Sequence, residues 1–372
     1  MHDALCRRPT PPIEQLTALA SATAAQTDLD RRVPPETIDL LTDAGFFRWS
    51  VPADYGGAAG SFTDLARHVV HLSRHCPSTG WLASLFGHSG RYVACLPEEG
   101  RKEVWGSSPD VRIVSVVKPL GRATRVAGGW RLSGRWTYAS GVEYSDWALL
   151  AGPAQGPGSD GGPPRFFAVP RSDYTYEDTW HTLGMRGTGS HDIVIDDAFV
   201  PDHRTCLRED AMQGRTAEGD RRYAPTLAVN GLTFVTPALG AALGALDAAL
   251  PLLKGPAAGP RAASHQAYQI AYARAAGQID AARLLLDRVA ETADAGRFTP
   301  ELVQRSRRDS ALALEMLTSA VDALARTGGT RGQADSHPLQ RYWRDVRSVS
   351  GHAVMQFEQA GLAYTQSLLA AG

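Results

Sequence analysis

The segment 130–141, WRLSGRWTYASG, places aromatic rings directly before a hydroxyl group. Apolar and polar residues alternate along it, a pattern typical of a half-buried β-strand. The alternation predicts that Trp136 and Tyr138 share one face and that the strand ends near Ser140. An aromatic wall beside a hydroxyl could support a flat ring and hydrogen-bond its edge. A second interpretation stays open, in which the aromatic residues pack a core and Ser140 caps a turn.

The segment 186–190, RGTGS, offers further polar groups just before another predicted strand, 193–195. Successive backbone N–H groups in a Gly-x-Gly turn can form an anion-binding nest. Thr188 and Ser190 would add two hydroxyl groups to such a nest. An ordinary turn before a strand explains the same residues and is, for this segment alone, the simpler interpretation.

His352 is the titratable residue with the sharpest functional signal. A helix predicted over 338–370 carries an apolar stripe that includes Phe357, a candidate for the wall of a substrate pocket. At ~100° per residue, His352 lies about 110° from the centre of that stripe, so a core histidine is not expected. A hydrated histidine and a catalytic one both remain open, because an imidazole that titrates near neutral pH suits proton transfer.

A second histidine lies in a helix predicted to begin after Pro77, with Ser78 as its N-cap. Trp81, His88 and Tyr92 fall on one stripe of this helix. One interpretation is a core histidine packed between helices. The other is a pocket wall for a flat substrate, in which Trp81 and Tyr92 supply aromatic surface and His88 acts as a general base. The sequence does not decide between them.

Two other classes of site receive less support. Metal-ligating residue types lie on one face of a predicted helix at a spacing that could hold an ion, namely Asp64, His68, His71 and His75. Because helix-surface histidines are common, we expect a hydrated face there and no metal. No G-x-G-x-x-G follows a predicted strand and no G-x-x-x-x-G-K-[ST] occurs, so the usual nicotinamide and P-loop signatures are missing.

The charge and composition of the 372 residues argue against several classes of protein. The formal net charge is −1 and charged residues make up 21%, so no bulk attraction to nucleic acid or an anionic membrane is expected. No run of 18 apolar residues predicts a membrane span, and the N-terminus has no apolar signal core. The four cysteines show no C-x-x-C spacing, which indicates reduced thiols in a cytoplasmic protein.

Three successive blocks of secondary structure must position these residues. The period is helical before about residue 105, and six short strands are then predicted, at 113–117, 124–126, 130–138, 147–151, 166–169 and 193–195. Four helices follow, predicted at 228–253, 262–295, 299–327 and 338–370. The expected fold is α+β and mainly α. It has an N-terminal helical domain (1–108), a central antiparallel β-barrel or sandwich (109–218) and a C-terminal four-helix bundle (219–372).

Taken together, these segments resemble the acyl-CoA dehydrogenase superfamily. The resemblance rests on 130–141, on WHTLGMRGTGSHDIVIDDAFVP (180–201) and on RYWRDVRSVSGH (341–352), and it begins at 31–57. The last segment is similar to the oxygenase components of two-component flavin-dependent monooxygenases, and the chain looks closest to aromatic polyketide hydroxylases of the actinorhodin type. The resemblance implies a hydroxylase that uses a C4a-hydroperoxyflavin to oxygenate an aromatic natural-product intermediate.

The same resemblance implies cofactors, partners and residue roles. The cofactors would be reduced flavin, FMNH2 or FADH2, and molecular oxygen. A separate NAD(P)H–flavin reductase would supply the flavin, and the oxygenase would form a homotetramer. The implied flavin-site residues are Trp136 and Tyr138 along the ring, Ser140 and His352 at its reactive edge, and Thr188 and Ser190 near its polar tail. Thr330 and Arg331 of one subunit would reach the flavin of a neighbour.

Rival functions remain open at this level. Acyl-CoA dehydrogenases carry a catalytic glutamate on the last segment, whereas 346–357 contain no carboxylate and Glu358 is the first. This weakens the dehydrogenase hypothesis without excluding it. A flavin-dependent N-oxygenase acting on an amine or amino sugar would share the fold, and so would a non-catalytic flavin-binding protein.

Overall fold

The computed structural model describes residues 11–155, 162–217, 219, 223–254 and 262–370. Helices come first, a sheet follows, and long helices complete the chain, as predicted. The N-terminal helices are α1 (Pro11–Asp30), α2 (Pro35–Asp43), α3 (Phe62–His75), α4 (Pro77–Val93) and α5 (Glu98–Trp105). Proline at the first turn starts α4, and its N-cap is Cys76, so the prediction of Ser78 as the cap is wrong.

The central part is one sheet of eight described strands rather than six. They are β1 (Ile113–Val116), β2 (Arg122–Val126), β3 (Gly129–Ala139), β4 (Trp147–Gln155), β5 (Gly162–Pro170), β6 (Thr175–Glu177), β7 (His191–Pro201) and β8 (Thr205–Leu207). Their order is β6-β7-β3-β2-β4-β5-β8, with β1 beside β4. Both β1 and β2 pair with β4 in parallel, so the sheet is mixed and the expectation of a purely antiparallel one is corrected.

Short helix α6 (Arg208–Met212) leads into the C-terminal helices, which are α7 (Thr226–Ala249), α8 (Ala262–Asp294), α9 (Pro300–Gly332), α10 (Pro338–Ser350) and α11 (Phe357–Leu369). The single helix predicted over 338–370 is therefore two helices. Gly351 caps α10, and the linker ends where Phe357 begins α11. The helical-wheel position of His352 consequently does not apply, because this residue lies in the linker.

Helix α7 is the central element of the helical core. It packs against α3, α4, α9 and α10, and its buried residues from Val235 onward belong to a core that continues into β3 and β7. By length and composition Thr226–Leu253 could cross a membrane, but 78% of its most apolar window is buried inside the fold. This burial is what a core helix of a folded domain requires.

The predicted domain boundaries fall between elements. Helix α5 ends at Trp105 and β1 begins at Ile113, while residue 218 itself lies outside the described residues. The boundaries at 108/109 and 218/219 stay predictions. The sequence also predicts a polar lead-in at 1–12 and a Gly/Pro-rich surface loop at 152–164. Residues 1–10 of the first and 156–161 of the second lie outside the described residues.

Candidate active site

The end of β3 departs from regular alternation. The register between β3 and β7 shifts between Trp136 and Ala139, and Tyr138 has a φ of +67°. Trp136 is fully buried and donates from its indole nitrogen to the carbonyl of Ala151, whereas Tyr138 is 70% exposed. The prediction of one shared face is therefore wrong. Trp136 has no exposed surface that a cofactor could contact, whereas the ring of Tyr138 is exposed to solvent.

Behind this bulge, four side chains form a continuous hydrogen-bond chain. The indole nitrogen of Trp81 donates to the Ser140 hydroxyl at 3.0 Å. Ser140 Oγ lies 2.7 Å from Ser190 Oγ, which in turn lies 2.6 Å from Thr188 Oγ1. All four residues are buried. The structure thus joins three hydroxyls predicted from two distant segments, and it adds Trp81 to them.

The direction of this chain follows from its far end. Thr188 Oγ1 donates to the carbonyl of Met185 at 2.9 Å, and a carbonyl can only accept. Because a hydroxyl has one proton, Thr188 must accept from Ser190, and Ser190 must then accept from Ser140. Ser140 accepts from Trp81 and donates to Ser190. Its one remaining capacity is a lone pair, so Ser140 is poised to accept a hydrogen bond from a ligand.

Met185 is held in place by several independent contacts. Its φ is +53°, and its backbone N–H donates to Asp345 of α10 at 2.5 Å. Its carbonyl also accepts from the indole nitrogen of Trp180. Burial raises the pKa of Asp345 to about 7. Helix α10 therefore anchors the loop on which the hydroxyl chain ends.

His352 also lies near Trp81, the residue that donates to Ser140. Its ring stacks on Phe234 of α7 with centroids 4.1 Å apart and lies 6.5 Å from the Trp81 ring. Nδ1 of His352 is buried without a hydrogen-bond partner. Buried polar atoms normally have partners, so an unpaired imidazole nitrogen beside two aromatic rings marks a position for a ligand atom.

The electrostatic state of His352 is set by desolvation. Burial lowers its pKa to about 4, so the imidazole is neutral at physiological pH. The linker that carries it is fixed by Gln356, whose side-chain amide donates to the carbonyls of Ser350 and His352. A neutral histidine in a fixed position can donate or accept a proton as its tautomer requires.

His88 lies elsewhere on α4. It is 4% exposed, it stacks on Phe62 with centroids 5.8 Å apart, and its Nδ1 has no partner. Burial and the neighbouring Arg91 lower its pKa well below the ordinary value. It lines a cavity of about 650 Å³ between the N-terminal helices, the residues just before α7 and the end of α8. Since α4 rises ~1.5 Å per residue, His88 lies about 10 Å along the helix axis from Trp81.

Two predicted substrate-wall residues have other surroundings. Tyr92 is buried against Phe166 of β5, with centroids 5.6 Å apart, in a second core cluster. Its prediction as a pocket residue is therefore not supported. Phe357 lines a separate cavity of about 390 Å³ against α9. Neither residue contributes a described ring contact to the pair His352 and Phe234.

The predicted inter-subunit residues lie at the end of α9. Thr330 and Arg331 are exposed and follow Gly329, whose φ of +51° and ψ of −151° break the helix. Only glycine adopts this conformation readily, which explains the glycine at 329. Their exposure is consistent with a contact to another subunit but does not test it.

The candidate metal residues are engaged in other contacts. Asp64 pairs with Arg67, and the rings of His71 and His75 lie 5.6 Å apart. Within the ranges that the structure describes, no group of three His, Cys, Asp or Glu residues could hold a metal ion. The described cysteines 76, 95 and 206 are buried thiols that form no disulfide.

Sequence reasoning missed two residues that the structure makes prominent. Phe234 supports His352, yet nothing distinguishes it within an apolar helix that is buried nearly all round. Arg91 lies one turn after His88 and is only 6% exposed. The sequence could have indicated Arg91, because a charged residue in a helix of small and apolar residues needs a partner or a ligand.

Comparison with known proteins identifies the fold. The family model of the acyl-CoA dehydrogenase N-terminal domain matches residues 16–104, and that of the C-terminal domain matches residues 232–357. The 3-HSA hydroxylase of Rhodococcus sp. RHA1 superimposes with a TM-score of 0.90 at 32% identity over 96% of each chain. XiaF from Streptomyces sp., solved with FADH2 and glycerol, has a TM-score of 0.90 at 28% identity, covering 96% of this chain and 94% of XiaF.

Characterised relatives define the branch. The flavin-dependent monooxygenase oxygenase subunit HsaA of Rhodococcus jostii is 35% identical over 358 residues, 92% of this chain and 93% of HsaA. The oxygenase component of the FADH2-dependent resorcinol hydroxylase of Rhizobium sp. is 36% identical over 375 residues, 94% of this chain and 91% of the relative. These findings confirm the predicted fold and the choice of oxygenase over dehydrogenase. The chain therefore belongs to the acyl-CoA dehydrogenase fold family and, within it, to the oxygenase components of two-component flavin-dependent monooxygenases.

Proposed function

We propose that this oxygenase hydroxylates an aromatic substrate while Ser140 and His352 flank the reactive edge of its reduced flavin. The observation that carries the proposal is the pair of free hydrogen-bonding capacities around Trp81. One is the lone pair of Ser140, and the other is the unpartnered Nδ1 of His352. One relative is named as a resorcinol hydroxylase, and resorcinol is aromatic, which supports an aromatic substrate. An aromatic natural-product intermediate remains the finer proposal.

The residues present fit a flavin. The exposed ring of Tyr138 gives a flat surface beside Trp180, 5.9 Å away, and Ser140 lies two residues further on. Gly141 follows with a φ of +73°, and a side chain there would meet the Phe86 ring at 2.8 Å, so the turn must stay small. When bound, reduced flavin activates molecular oxygen and supplies the electrons for hydroxylation.

Ser140 gives the site a preference for one redox state. Reduced flavin carries a proton on N5, whereas oxidised flavin presents a bare acceptor nitrogen there. Because the hydroxyl chain leaves Ser140 with only a lone pair, it accepts from the reduced form and has no proton for the oxidised form. In this proposal Ser140 contacts the flavin, whereas Ser190 and Thr188 act through it and set its orientation.

His352 and its neighbours control protons and water. The neutral imidazole holds a proton on one nitrogen and offers the other to the reacting edge. Phe234 and Trp81 cover two sides of it with apolar surface, which keeps water away from a reaction that water would divert to hydrogen peroxide. His88 is the proposed general base on the substrate side, where burial already keeps it neutral.

The reductase partner, the oligomeric state and the cellular location are also part of the proposal. Oxygenase components of this type depend on a separate flavin reductase, here proposed to be NAD(P)H-dependent. Homotetramer formation would cover apolar side chains that the single chain leaves exposed on its late helices, namely Ile270, Leu284, Leu362 and Leu369. Thr330 and Arg331 would contact the flavin of a neighbouring subunit. A cytoplasmic location suits an enzyme whose described cysteines form no disulfide.

The decisive experiment is single-turnover oxidation of chemically reduced flavin, FMNH2 or FADH2, with an aromatic substrate. We expect hydroxylated product in the absence of any reductase once reduced flavin is supplied. Failure of the protein to bind reduced flavin, or oxidation of flavin without product from any phenolic or indolic substrate tried, would contradict the proposed function.

A further inference from the structure

The cavity beside His88 has an apolar wall and a polar wall. Trp49, Phe62 and Leu65 form the apolar side, and Phe62 lies over the His88 ring. At about 650 Å³ the cavity has the volume of a small-molecule site. Its apolar walls suit a flat aromatic group stacked beside Phe62.

Arg91 brings an unneutralised positive charge to this cavity. It is 6% exposed, and its Nε donates to the carbonyl of His88 at 3.2 Å. Its other described contacts are with the faces of Phe62 and Tyr92, at 5.6 and 5.4 Å from the ring centroids. Among the described residues no carboxylate forms an ion pair with it. A buried guanidinium stays protonated and normally has an anionic partner, so this position is prepared for one.

Among the described residues that line the cavity, the one acidic residue is Asp294, and its carboxylate already has partners. Both carboxylate oxygens of Asp294 accept from the backbone N–H groups of Phe62 and Thr63, at 2.7 and 3.0 Å. These bonds cap the start of α3, where a helix favours negative charge. Asp294 therefore holds the apolar wall in place rather than neutralising Arg91.

Two further polar atoms of the same cavity lack partners. Nδ1 of His88 and Oγ of Ser50 are both buried without a hydrogen bond in the described chain. Together with Arg91 they give the same cavity one cation and two hydrogen-bonding groups. Each would be costly to bury alone, and a single bound anion could satisfy all three.

We infer that this cavity binds an aromatic substrate through a negatively charged substituent, a carboxylate or a phenolate, which Arg91 receives. This inference rests on the proposed function, because it names the class of substrate. His88 and Trp81 lie on the same face of α4, seven residues apart, so an anion held at Arg91 directs the attached ring along α4 toward Trp81. Arg91 is a specificity-determining residue, and Ser50 and His88 orient the anion.

The test is calorimetric titration of the full-length oxygenase, without flavin, with three probes of similar shape. These are 2-naphthoate, the neutral 2-naphthamide and 2-naphthol. We expect 2-naphthoate to bind at least tenfold more tightly than the amide if the natural group is a carboxylate. Binding of 2-naphthol with release of a proton, detected by comparing two buffers, would identify a phenolate instead. Equal or tighter binding of the amide, or no binding of any probe, overturns the inference.

Variants test whether Arg91 causes the preference for the anionic probe. Arg91→Met keeps the length of the side chain and removes the charge, so it should abolish the preference for the anion and leave amide binding unchanged. Arg74→Met, which removes an exposed arginine paired with Asp247, is the matched control. Should Arg91→Met fail to fold, Ser50→Ala takes its place and should weaken anion binding severalfold. Unchanged anion binding in whichever of the two folds contradicts the assignment.

These titrations are separable from the test of the proposed function. They need neither flavin nor oxygen, so 2-naphthoate can bind in an enzyme that fails to hydroxylate. Conversely, the enzyme could form product from a neutral aromatic substrate and show no preference for an anionic one. That result would support the proposed function and contradict this inference.

Discussion

Replacing Thr188 by Val should change which redox state of the flavin the enzyme prefers. Thr188 is the only member of the described hydroxyl chain that donates to a backbone carbonyl, that of Met185. Without its oxygen, Ser190 loses its acceptor and can donate to Ser140 instead. Ser140 would then accept from Trp81 and from Ser190, and its own proton would turn toward the flavin. The reversal disfavours the N5–H of reduced flavin and favours the bare N5 of oxidised flavin.

The magnitude follows from two altered hydrogen bonds. Each is worth ~0.5–1.5 kcal/mol, so the difference in binding free energy between reduced and oxidised flavin should change by ~1–3 kcal/mol. This corresponds to roughly a 5- to 150-fold change in the ratio of the two dissociation constants. For a two-electron couple it lowers the midpoint potential of the bound flavin by ~20–60 mV.

The assay is anaerobic titration with reduced flavin and aerobic titration with oxidised flavin, in wild type and variant. Thr188→Ser retains the hydroxyl and should behave as wild type. Thr17→Val removes a buried hydroxyl that donates to Ile13 within α1, and it controls for the loss of a threonine elsewhere. A folded Thr188→Val protein with an unchanged ratio, or with a ratio shifted toward reduced flavin, would refute the deduced direction of the chain.

Three further predictions follow from the site. His352→Ala should retain the fold but divert reduced flavin to hydrogen peroxide, lowering coupling to product ~10-fold or more, since a hydrogen bond at the reacting edge is lost; unchanged coupling would remove His352 from the mechanism. Burial lowers the pKa of His352 to about 4 from 6.5, so the unfolded chain takes up this proton first as pH falls. The free energy of unfolding of wild type should therefore fall by up to ~3 kcal/mol relative to that of His352→Asn between pH 6.5 and 4. Chemical unfolding of both proteins across this range measures the difference. The raised pKa of Asp345 contributes in the opposite direction, but equally in both proteins, so it cancels in the comparison. Parallel plots of unfolding free energy against pH would argue against a buried neutral imidazole. Purified oxygenase should not oxidise NADH until a reductase is added, and substrate-dependent NADH oxidation by the oxygenase alone would contradict the two-component assignment.

Local signals predicted most elements of the fold. The order of N-terminal helices, central strands and C-terminal helices appears where the sequence indicated it. The parallel pairings of β1 and β2 with β4 were missed because strand direction depends on long-range topology, which alternation does not encode. The break at Gly351 was missed because the apolar period continues on both sides of it.

The site was only partly accessible to sequence reasoning. Ser140, Ser190 and Thr188 were chosen separately, and only the structure shows them hydrogen-bonded in one chain. Tyr138 and Trp136 were assigned to one face because a β-bulge with positive φ cannot be read from alternation. In α4 the stripe that contained Tyr92 did not identify a pocket wall, because this helix is buried on nearly all sides.

The most direct measurement is a crystal structure of the oxygenase with flavin bound under reducing conditions. The account predicts N5 of the ring at about 3 Å from Ser140 Oγ, the ring face near Tyr138 and the His352 imidazole over the same edge. A flavin ring bound away from Ser140, with His352 facing solvent, would contradict the central claim.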